Sequence, residues 1–371
     1  MTGVALQSTT PNATGRPRVR RVIGWGVALT GFLLCALGIA VVVTESVGVQ
    51  GTLLGLVIST TAIAVVLPVF LWVDRLEAEP ARMMWFAFLW GALIATSGSL
   101  VTNTVAALAF SSLGFDPEFA TAVVAAPINE EFFKGLGLLV IFLCARREFN
   151  GVVDGIAYAG VIAIGFAYVE DILYLGQNYR DLGQEGLIGT FVVRCLLTPF
   201  AHPMFTVCTG IAFGLIAHRR RWVNAWVPLV GYAVAVTGHA TFNGSLGQGS
   251  IVLGMLWIPL FVGFVLVVVF ARRSEVRMMR EHLTGYGLNG WFSPAEVAML
   301  VSPSERRRAR GWARSAHGPA GGSAMRSFQD EAAELAIARQ HLERGDGGWV
   351  PRERQLLASL TAHRQTFARS R

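Results

Sequence analysis

The chain has 371 residues, of which 53% are hydrophobic and only 15% are charged, and its formal net charge is +7. A typical soluble domain has about 25% charged residues, so this composition argues against an ordinary soluble protein and favours a multi-pass membrane protein. The positive charge does not predict a nucleic-acid partner, because arginines beside membrane spans set topology and contact the lipid bilayer. The cysteines form no CxxC pair, and they indicate neither a disulfide framework nor a thiolate metal site.

Eight apolar runs predict membrane-spanning helices, because one span needs about 20 apolar residues. They cover approximately residues 22–44, 51–73, 84–110, 119–144, 152–176, 189–217, 222–245 and 250–271. The first run follows RPRVRR and lacks a small-residue cleavage pattern, so we expect an uncleaved helix there. The arginine-rich loops alternate with acidic ones, which predicts a plasma-membrane protein with both termini cytoplasmic.

The sequence thus predicts an all-α protein in three regions. Residues 1–21 are expected to be a disordered cytosolic N-terminus, 22–271 a bundle of about eight transmembrane helices, and 272–371 a basic, helical cytosolic tail. In the tail, Ser293 and Glu296 have the spacing of a capping box. Amphipathic helices are predicted over 326–344 and 351–369. The segment RRRARGWAR fits the inner leaflet and a solvated charge run equally well.

The fourth apolar run, AAPINEEFFKGLGLLVIF, contains Glu130, Glu131 and Lys134, and Lys134 is the only lysine among 31 basic residues. A charge at the bilayer centre costs about 2.5–3.5 kcal/mol on insertion scales, so such residues face the bundle interior and pair. The three share one helical face, and Pro127 predicts a kink one turn earlier. An ion pair that only locks packing would explain one glutamate and leave the other without a partner.

The next three runs each contain an ionisable residue deep inside. Glu170 lies in GFAYVEDILYL, His202 in TPFAHPMF, and His239 four residues before Asn243 in GHATFNG. Taken singly, each histidine is more often a hydrogen-bonded core residue than a ligand, and Asp171 fits a solvated helix end. Two neutral imidazoles and one carboxylate nevertheless form a catalytic zinc set, and a further glutamate can activate the water.

We therefore expect Glu170, His202 and His239 to bind Zn²⁺. Glu131 is the expected general base, with Glu130 assisting and Lys134 holding one of the pair ionised. Asn243 would orient an imidazole or the substrate carbonyl. These groups are the ones that peptide-bond hydrolysis needs. Without a metal, the histidines would polarise the carbonyl of the bond to be cut or hold the attacking water.

Four motifs carry a resemblance to a known family. They are Glu130-Glu131-x-x-Lys134, Phe166-x-x-x-Glu170-Asp171, His202 with Gly210 eight residues later, and His239-x-x-x-Asn243. In this order, over about residues 22–271, the sequence resembles the PrsW intramembrane proteases, part of a larger group that includes CAAX prenyl endopeptidases and bacteriocin-processing enzymes. The resemblance implies cleavage of a membrane-anchored protein, which in PrsW itself is an anti-sigma factor.

Two other classes of function are compatible with buried carboxylates and histidines. A proton- or ion-coupled transporter uses such residues, although no internal repeat is visible. A non-catalytic membrane scaffold would use them to lock helices together. Helix rise places Glu131 and His202 roughly 20 Å from their outer ends, but Glu170 and His239 only about 10 Å. Sequence alone therefore leaves their convergence open.

Overall fold

The computed structural model describes residues 16–146, 149–217, 224–246 and 250–368. The α-helices are α1 (Arg16–Val73), α2 (Ala81–Leu89), α3 (Thr96–Ser112), α4 (Pro117–Ala120), α5 (Ala126–Cys144), α6 (Val152–Thr190), α7 (Ala201–Ile216), α8 (Trp226–Ser245), α9 (Ser250–Leu288), α10 (Pro294–Leu300), α11 (Pro303–Glu343) and α12 (Val350–Ala368). The π-helical segments Trp90–Ala95, Thr121–Ala125 and Phe191–Leu197 extend α2, α4 and α6, and a 3₁₀ turn, Gly347–Trp349, precedes α12. Of the segment predicted to be disordered, residues 1–15 lie outside the described part and 16–21 begin α1.

Four segments of the described chain are long and apolar enough to cross a membrane. They are Gly26–Val73, Ala81–Ser112, Val152–Ile216 and Met255–Leu288. The sequence predicted about eight spans, and the counts differ because adjacent predicted spans merge into continuous helices. These helices are interrupted at Gly48 and Gly183, whose φ angles of 71° and 65° only glycine adopts easily. The predicted spans that correspond to α5 and α8 are not among these four, and both helices contain polar residues of the predicted site.

Helix α6 is the centre of the membrane bundle, and nearly every side chain from Val153 to Phe166 is buried. Glycines allow neighbouring backbones to approach it closely. A Cβ on Gly210 of α7 would lie 2.1 Å from the carbonyl oxygen of Gly155, and one on Gly91 would lie 1.8 Å from that of Ile162. This close packing fixes α7, and therefore His202, relative to α6.

The C-terminal region forms a second helical core. The predicted boundary at residue 271 falls inside α9, whose later part packs with α11 and α12 through a buried cluster that includes Met279, Leu283, Phe328, Ala332 and Leu356. Leu76, from the loop between α1 and α2, belongs to the same cluster. The loop that follows α1 is therefore packed against the C-terminal region.

Local predictions for the tail agree with the structure. The two predicted amphipathic helices, 326–344 and 351–369, correspond to the later part of α11 and to α12, and residue 369 lies outside the described part of the chain. The capping box is confirmed, because the Glu296 N–H donates to Ser293 Oγ at 3.2 Å and the Ser293 N–H donates to Glu296 Oε2 at 2.8 Å. Within RRRARGWAR, Arg306 is buried and binds Asp330 at 2.8 Å, whereas Trp312 is exposed.

Candidate active site

Four helices bring the ionisable residues of the bundle to one point. These residues are Glu130, Glu131 and Lys134 on α5, Glu170 on α6, His202 on α7 and His239 on α8. Lys134 Nζ lies 3.0 Å from Glu131 Oε1 and 3.0 Å from His202 Nδ1. The residues that the sequence placed at unequal depths therefore converge.

The single lysine is enclosed completely. Lys134 has 0% exposure, and its ammonium also lies 3.6 Å from Glu130 Oε2 and 4.0 Å from the centroid of the Phe166 ring. Two carboxylates and an aromatic face thus compensate one buried cation. The sequence predicted a kink at Pro127. The structure places Pro127 in the first turn of α5, directly after the π-helical segment Thr121–Ala125, so the irregular backbone lies about one turn before it.

Hydrogen-bond chemistry assigns the tautomers of the two histidines. An ammonium can only donate, so His202 Nδ1 accepts from Lys134, and the Nε2–H donates to Glu170 Oε2 at 2.7 Å. A carboxylate can only accept, so His239 Nδ1–H donates to Glu131 Oε1 at 3.1 Å. Each imidazole is thereby oriented by a carboxylate, as metal-binding histidines usually are.

A metal ion could be held beside Glu130 Oε2, which accepts no hydrogen bond and has only a longer ion-pair contact, 3.6 Å from Lys134. Glu130 Oε2 is buried without a hydrogen-bond donor and lies 3.8 Å from His239 Nε2, the nitrogen whose lone pair the tautomer leaves free. One ligand atom each from Glu130, His202 and His239 lies within 4.8 Å of the others. Two imidazoles and a carboxylate match the donor set of a catalytic zinc site. Because both nitrogens of His202 are hydrogen-bonded in this structure, His202 would bind a metal only after Lys134 or Glu170 moves away from it.

Glu170 was predicted to bind the metal, but in this structure its carboxylate forms ion pairs and hydrogen bonds with other side chains. Its Oε2 accepts from Arg194 as well as from His202, and Arg194 also binds the neighbouring Asp171. The guanidinium has a planar fork of donors, which suits two adjacent carboxylates. The alternative that Asp171 is a solvated helix end is wrong, since the residue is only 5% exposed.

Asn243 lies one turn from His239, but its hydrogen bond goes elsewhere. Its Nδ2 donates to the carbonyl oxygen of Ala122 at 2.9 Å, which ties α8 to the π-helical segment before α5. Within the described residues, no hydrogen bond joins Asn243 to the histidines. Its contact in this structure therefore positions a helix rather than an imidazole.

Two further residues complete the cluster. Thr206 Oγ1 donates to Glu131 Oε2 at 2.8 Å, so both oxygens of that carboxylate have donors. The second residue is Arg194. The spacing of Thr206, four residues after His202, could have indicated it, because the two share one helical face. Arg194 lies in the same apolar run as His202, so the sequence indicates that it could offset a carboxylate, and the structure pairs it with Glu170 and Asp171.

Aromatic rings surround the polar cluster. Phe205 stacks on the His239 ring at 5.2 Å, and Phe166 lies 5.4 Å from the His202 ring. An apolar cleft between α8 and α9 is lined partly by Gly238, which precedes His239, and by Thr241 and Pro259. The polar groups thus lie in a low-dielectric shell, where each electrostatic contact is stronger than in water.

Comparisons with known proteins agree with this site. A family model described as PrsW family intramembrane metalloprotease matches residues 79–271. "Protease PrsW" of Geobacillus kaustophilus is 33% identical over 141 residues, which cover 38% of this chain and 57% of that protein. "Protease PrsW" of Clostridioides difficile is 29% identical over 138 residues, which cover 37% of this chain and 55% of the relative.

The chain therefore spans little more than half the length of these curated relatives. No solved structure matches it significantly. The family model covers more than half of the chain and contains every ionisable residue of the site described above. This chain belongs to the PrsW family of intramembrane metalloproteases.

Proposed function

We propose that this protein is an intramembrane endopeptidase that hydrolyses a peptide bond of a membrane-anchored protein. The observation that carries the proposal is the buried cluster in which Glu130, His202 and His239 offer ligand atoms within 4.8 Å of one another. Glu130 Oε2 is buried, accepts no hydrogen bond and lies 3.6 Å from Lys134, so it is the carboxylate oxygen of the cluster most available to a ligand. Family membership supports the same reaction class.

Glu130, His202 and His239 would hold a metal ion, and Zn²⁺ suits this set of nitrogen and oxygen donors best. When bound, such an ion supplies a Lewis acid and activates a water molecule for attack on the scissile carbonyl. Glu131 and Glu170 orient the two imidazoles through the hydrogen bonds described above. In this assignment Glu130 replaces Glu170 in the metal set predicted from the sequence, and Glu131, predicted as the general base, orients an imidazole instead.

Lys134 and Arg194 keep the orienting carboxylates ionised. The ammonium lies 3.0 Å from Glu131, and the guanidinium pairs with Glu170. Should the enzyme work without a metal, Glu130 has the buried oxygen that is free to take a proton from water. His239 Nε2, 3.8 Å from that oxygen, would then hold the water or polarise the carbonyl.

The topology proposed with this function has eight spans and cytoplasmic termini in the plasma membrane. Support comes from α1, since Val43 in its first half and Ala62 in its second half both pack against the part of α6 from Val169 to Leu175. This requires a reversal at Gly48. The active site would lie on the side of the bundle away from the tail, accessible to substrates already in the bilayer.

The substrate class is a single-span regulatory protein, and an anti-sigma factor is the example that the family resemblance suggests. A single transmembrane segment could approach His239 along the apolar cleft between α8 and α9. The wider kinship with CAAX prenyl endopeptidases and bacteriocin-processing enzymes is part of this proposal, supported by glutamates and histidines dispersed over successive helices.

The test uses the full-length protein in lipid nanodiscs with a panel of single-span substrates. We expect wild type to cut at least one of them near its outer membrane boundary and Glu130→Gln to leave it intact. Membrane proteomics of cells expressing either form should show the same protein accumulating uncut in the variant. If no substrate is cut, while Glu130→Gln alters ion flux in liposomes, the protein is a transporter.

Metal analysis of the same preparations separates the two branches of the mechanism. Stoichiometric zinc that disappears in His202→Ala and His239→Ala supports the metal set. Full activity in chelator-treated protein free of metal would contradict it and favour the glutamate–histidine mechanism.

A further inference from the structure

A second group of carboxylates lies at the end of the bundle that carries the tail, away from the histidines. Asp74 and Glu79 come from the loop between α1 and α2, and Asp154 from the first turn of α6. One oxygen of each lies within 4.8 Å of the others. Asp74 and Asp154 are buried, with exposures of 5% and 3%. Two chain segments thus direct three acidic side chains at one point.

Neutral donors hold these carboxylates in place. The Glu79 N–H donates to Asp74 Oδ2 at 2.8 Å, and the Gly151 N–H donates to Asp154 Oδ2 at 2.8 Å. Tyr158 O–H donates to Glu79 Oε2. The other oxygen of Asp74, Oδ1, is buried and has no donor. These hydrogen bonds fix the positions of the three carboxylates, while Asp74 Oδ1 remains buried without a hydrogen-bond donor.

More negative charge surrounds the group. Glu77 accepts from Asn150 Nδ2 at 3.2 Å, and Glu275 of α9 has a buried Oε2 without a donor.

Two nearby arginines are engaged elsewhere. Arg272 donates to the carbonyl oxygen of Trp72, and Arg306 binds the Leu76 carbonyl and Asp330. The hydrogen bonds of Asp74, Glu79 and Asp154 given above come from backbone N–H groups and a phenol, which are neutral. A bare excess of buried carboxylate is costly, so either protons or a cation must compensate it.

We propose that Asp74, Glu79 and Asp154 bind a divalent cation of the oxygen-preferring class, with Ca²⁺ fitting best. All the ligand atoms are oxygens, which suits hard cations and disfavours zinc or copper. Ca²⁺ accepts irregular sets of protein oxygens, whereas Mg²⁺ demands near-octahedral geometry and usually keeps several waters. Three protein carboxylates with oxygens within 4.8 Å of one another therefore suit Ca²⁺ better.

Such an ion would tie the loop before α2 to the start of α6. Leu76 in that loop is part of the tail core, and α6 carries Glu170 of the active site. The cation site therefore joins the tail to the central helix of the bundle. This inference does not depend on the proteolytic reaction.

The experiment measures thermal unfolding of the full-length protein after chelation, with Ca²⁺ or Mg²⁺ added back. We expect Ca²⁺ to raise Tm by a few degrees in a saturable way, and Mg²⁺ to act only at higher concentration. Tb³⁺, a luminescent probe for calcium sites, should bind and be displaced by Ca²⁺. The active-site histidines contribute little to either response, since their nitrogen ligands suit softer ions.

Asp74→Asn and Glu79→Gln keep shape and acceptor oxygens while removing charge. Each should abolish the Ca²⁺-dependent rise in Tm and weaken Tb³⁺ binding at least tenfold, and each should unfold in chelator no earlier than wild type because repulsion is relieved. The control Glu281→Gln, on the exposed face of α9, should respond like wild type. Absence of a cation effect on wild type, or an unchanged effect in both variants, would show that protons alone compensate the group.

Discussion

The chemistry of this site depends on how each carboxylate is satisfied. Glu131 has donors on both oxygens, from Lys134, His239 and Thr206, and it is fully buried. Glu130, its neighbour in sequence, has a buried oxygen that meets no donor. Two adjacent glutamates therefore have separate tasks, one holding the network together and the other available for a ligand or a proton.

This division predicts different defects for two matched substitutions. Glu131→Gln leaves Lys134 without its main counter-charge, so we expect a loss of about 3–5 kcal/mol of stability together with activity. Glu130→Gln should reduce turnover at least about 100-fold with little effect on Tm. Thermal unfolding in detergent and turnover of one substrate measure both. Equal loss of stability in the two variants would contradict the assignment.

The single lysine predicts a strict requirement for its shape. Lys134→Arg keeps the charge, but the pocket between Glu131, His202 and Phe166 is closed around a compact ammonium. We expect the variant to insert normally and to retain less than about 1% of turnover. The control Arg180→Lys exchanges the same two residue types at an exposed pair and should be neutral. Wild-type turnover in Lys134→Arg would show that only charge matters.

At the scale of helices, the bundle is set by close backbone contacts and by one arginine. Gly155 of α6 and Gly210 of α7 approach so closely that a methyl group on either would overlap the other's carbonyl. Arg194, in the π-helical segment after α6, binds back to Glu170 and Asp171 on that helix. These contacts fix the spacing between the helices that carry Glu170 and His202.

Gly210→Ala tests the close contact. A Cβ there would lie 2.1 Å from the Gly155 oxygen, a backbone atom that cannot move away cheaply. We expect about 1–3 kcal/mol of destabilisation and a fall in turnover, because α7 must shift and carry His202 from Glu170. Gly263→Ala in α9 meets open space and serves as the control. If both variants unfold and turn over alike, the contact does not set the site.

Substitution of Arg194 should destabilise the protein more than substitution of either of its carboxylate partners. Arg194→Met leaves two carboxylates unpaired at a largely buried position, so we expect a loss of roughly 3–5 kcal/mol. Adding Asp171→Asn to that variant should restore part of this stability, because one uncompensated charge disappears. Thermal unfolding of the two single variants and the double variant gives the coupling. Strict additivity would mean that the residues act independently.

Sequence patterns predicted much of this architecture and missed identifiable parts. Hydropathy found the helices, and the motifs at Glu130, Glu170, His202 and His239 identified residues that meet in space. The depth estimate left their convergence open because hydropathy marks where lipid is contacted and not where a helix ends. Helix α6, for example, runs from Val152 to Thr190, beyond the predicted end at residue 176. The sequence indicates that Arg194 could offset a carboxylate, but its pairing with both Glu170 and Asp171 depends on tertiary packing, which local patterns do not encode.

At the scale of the whole molecule, two polar clusters lie along α6. Glu170 of the histidine site is near the middle of the helix, whereas Asp154 is in its first turn, beside the acidic loop. The tail is packed into a core that includes Leu76 of that loop. Rearrangement of the tail would therefore act first on the acidic loop and then on the central helix, which gives it a physical route to the active site.

The proposed topology predicts which positions face the same side of the membrane. If the chain reverses at Gly48 and Gly183, Glu45 and Asp181 face outward together and Glu281 lies inside with the tail. This follows because α1 and α6 pack side by side, with Gln50 Nε2 donating to Tyr179 Oη at 2.8 Å near both reversals. A straight helix over the 48 residues from Gly26 to Val73 would extend about 70 Å, more than twice the hydrocarbon thickness of a bilayer.

Single cysteines introduced at these three positions, in a variant without the native cysteines, measure the arrangement. We expect a membrane-impermeant maleimide to label Glu45→Cys and Asp181→Cys in intact cells, and to label Glu281→Cys only after permeabilisation. Retained cleavage activity of the cysteine-free parent is the control for folding. Protection of Glu45→Cys in both conditions would place residue 45 inside the bilayer and reduce the number of spans. Labelling of Glu281→Cys in intact cells would invert the orientation and, with it, the side on which substrates are cut.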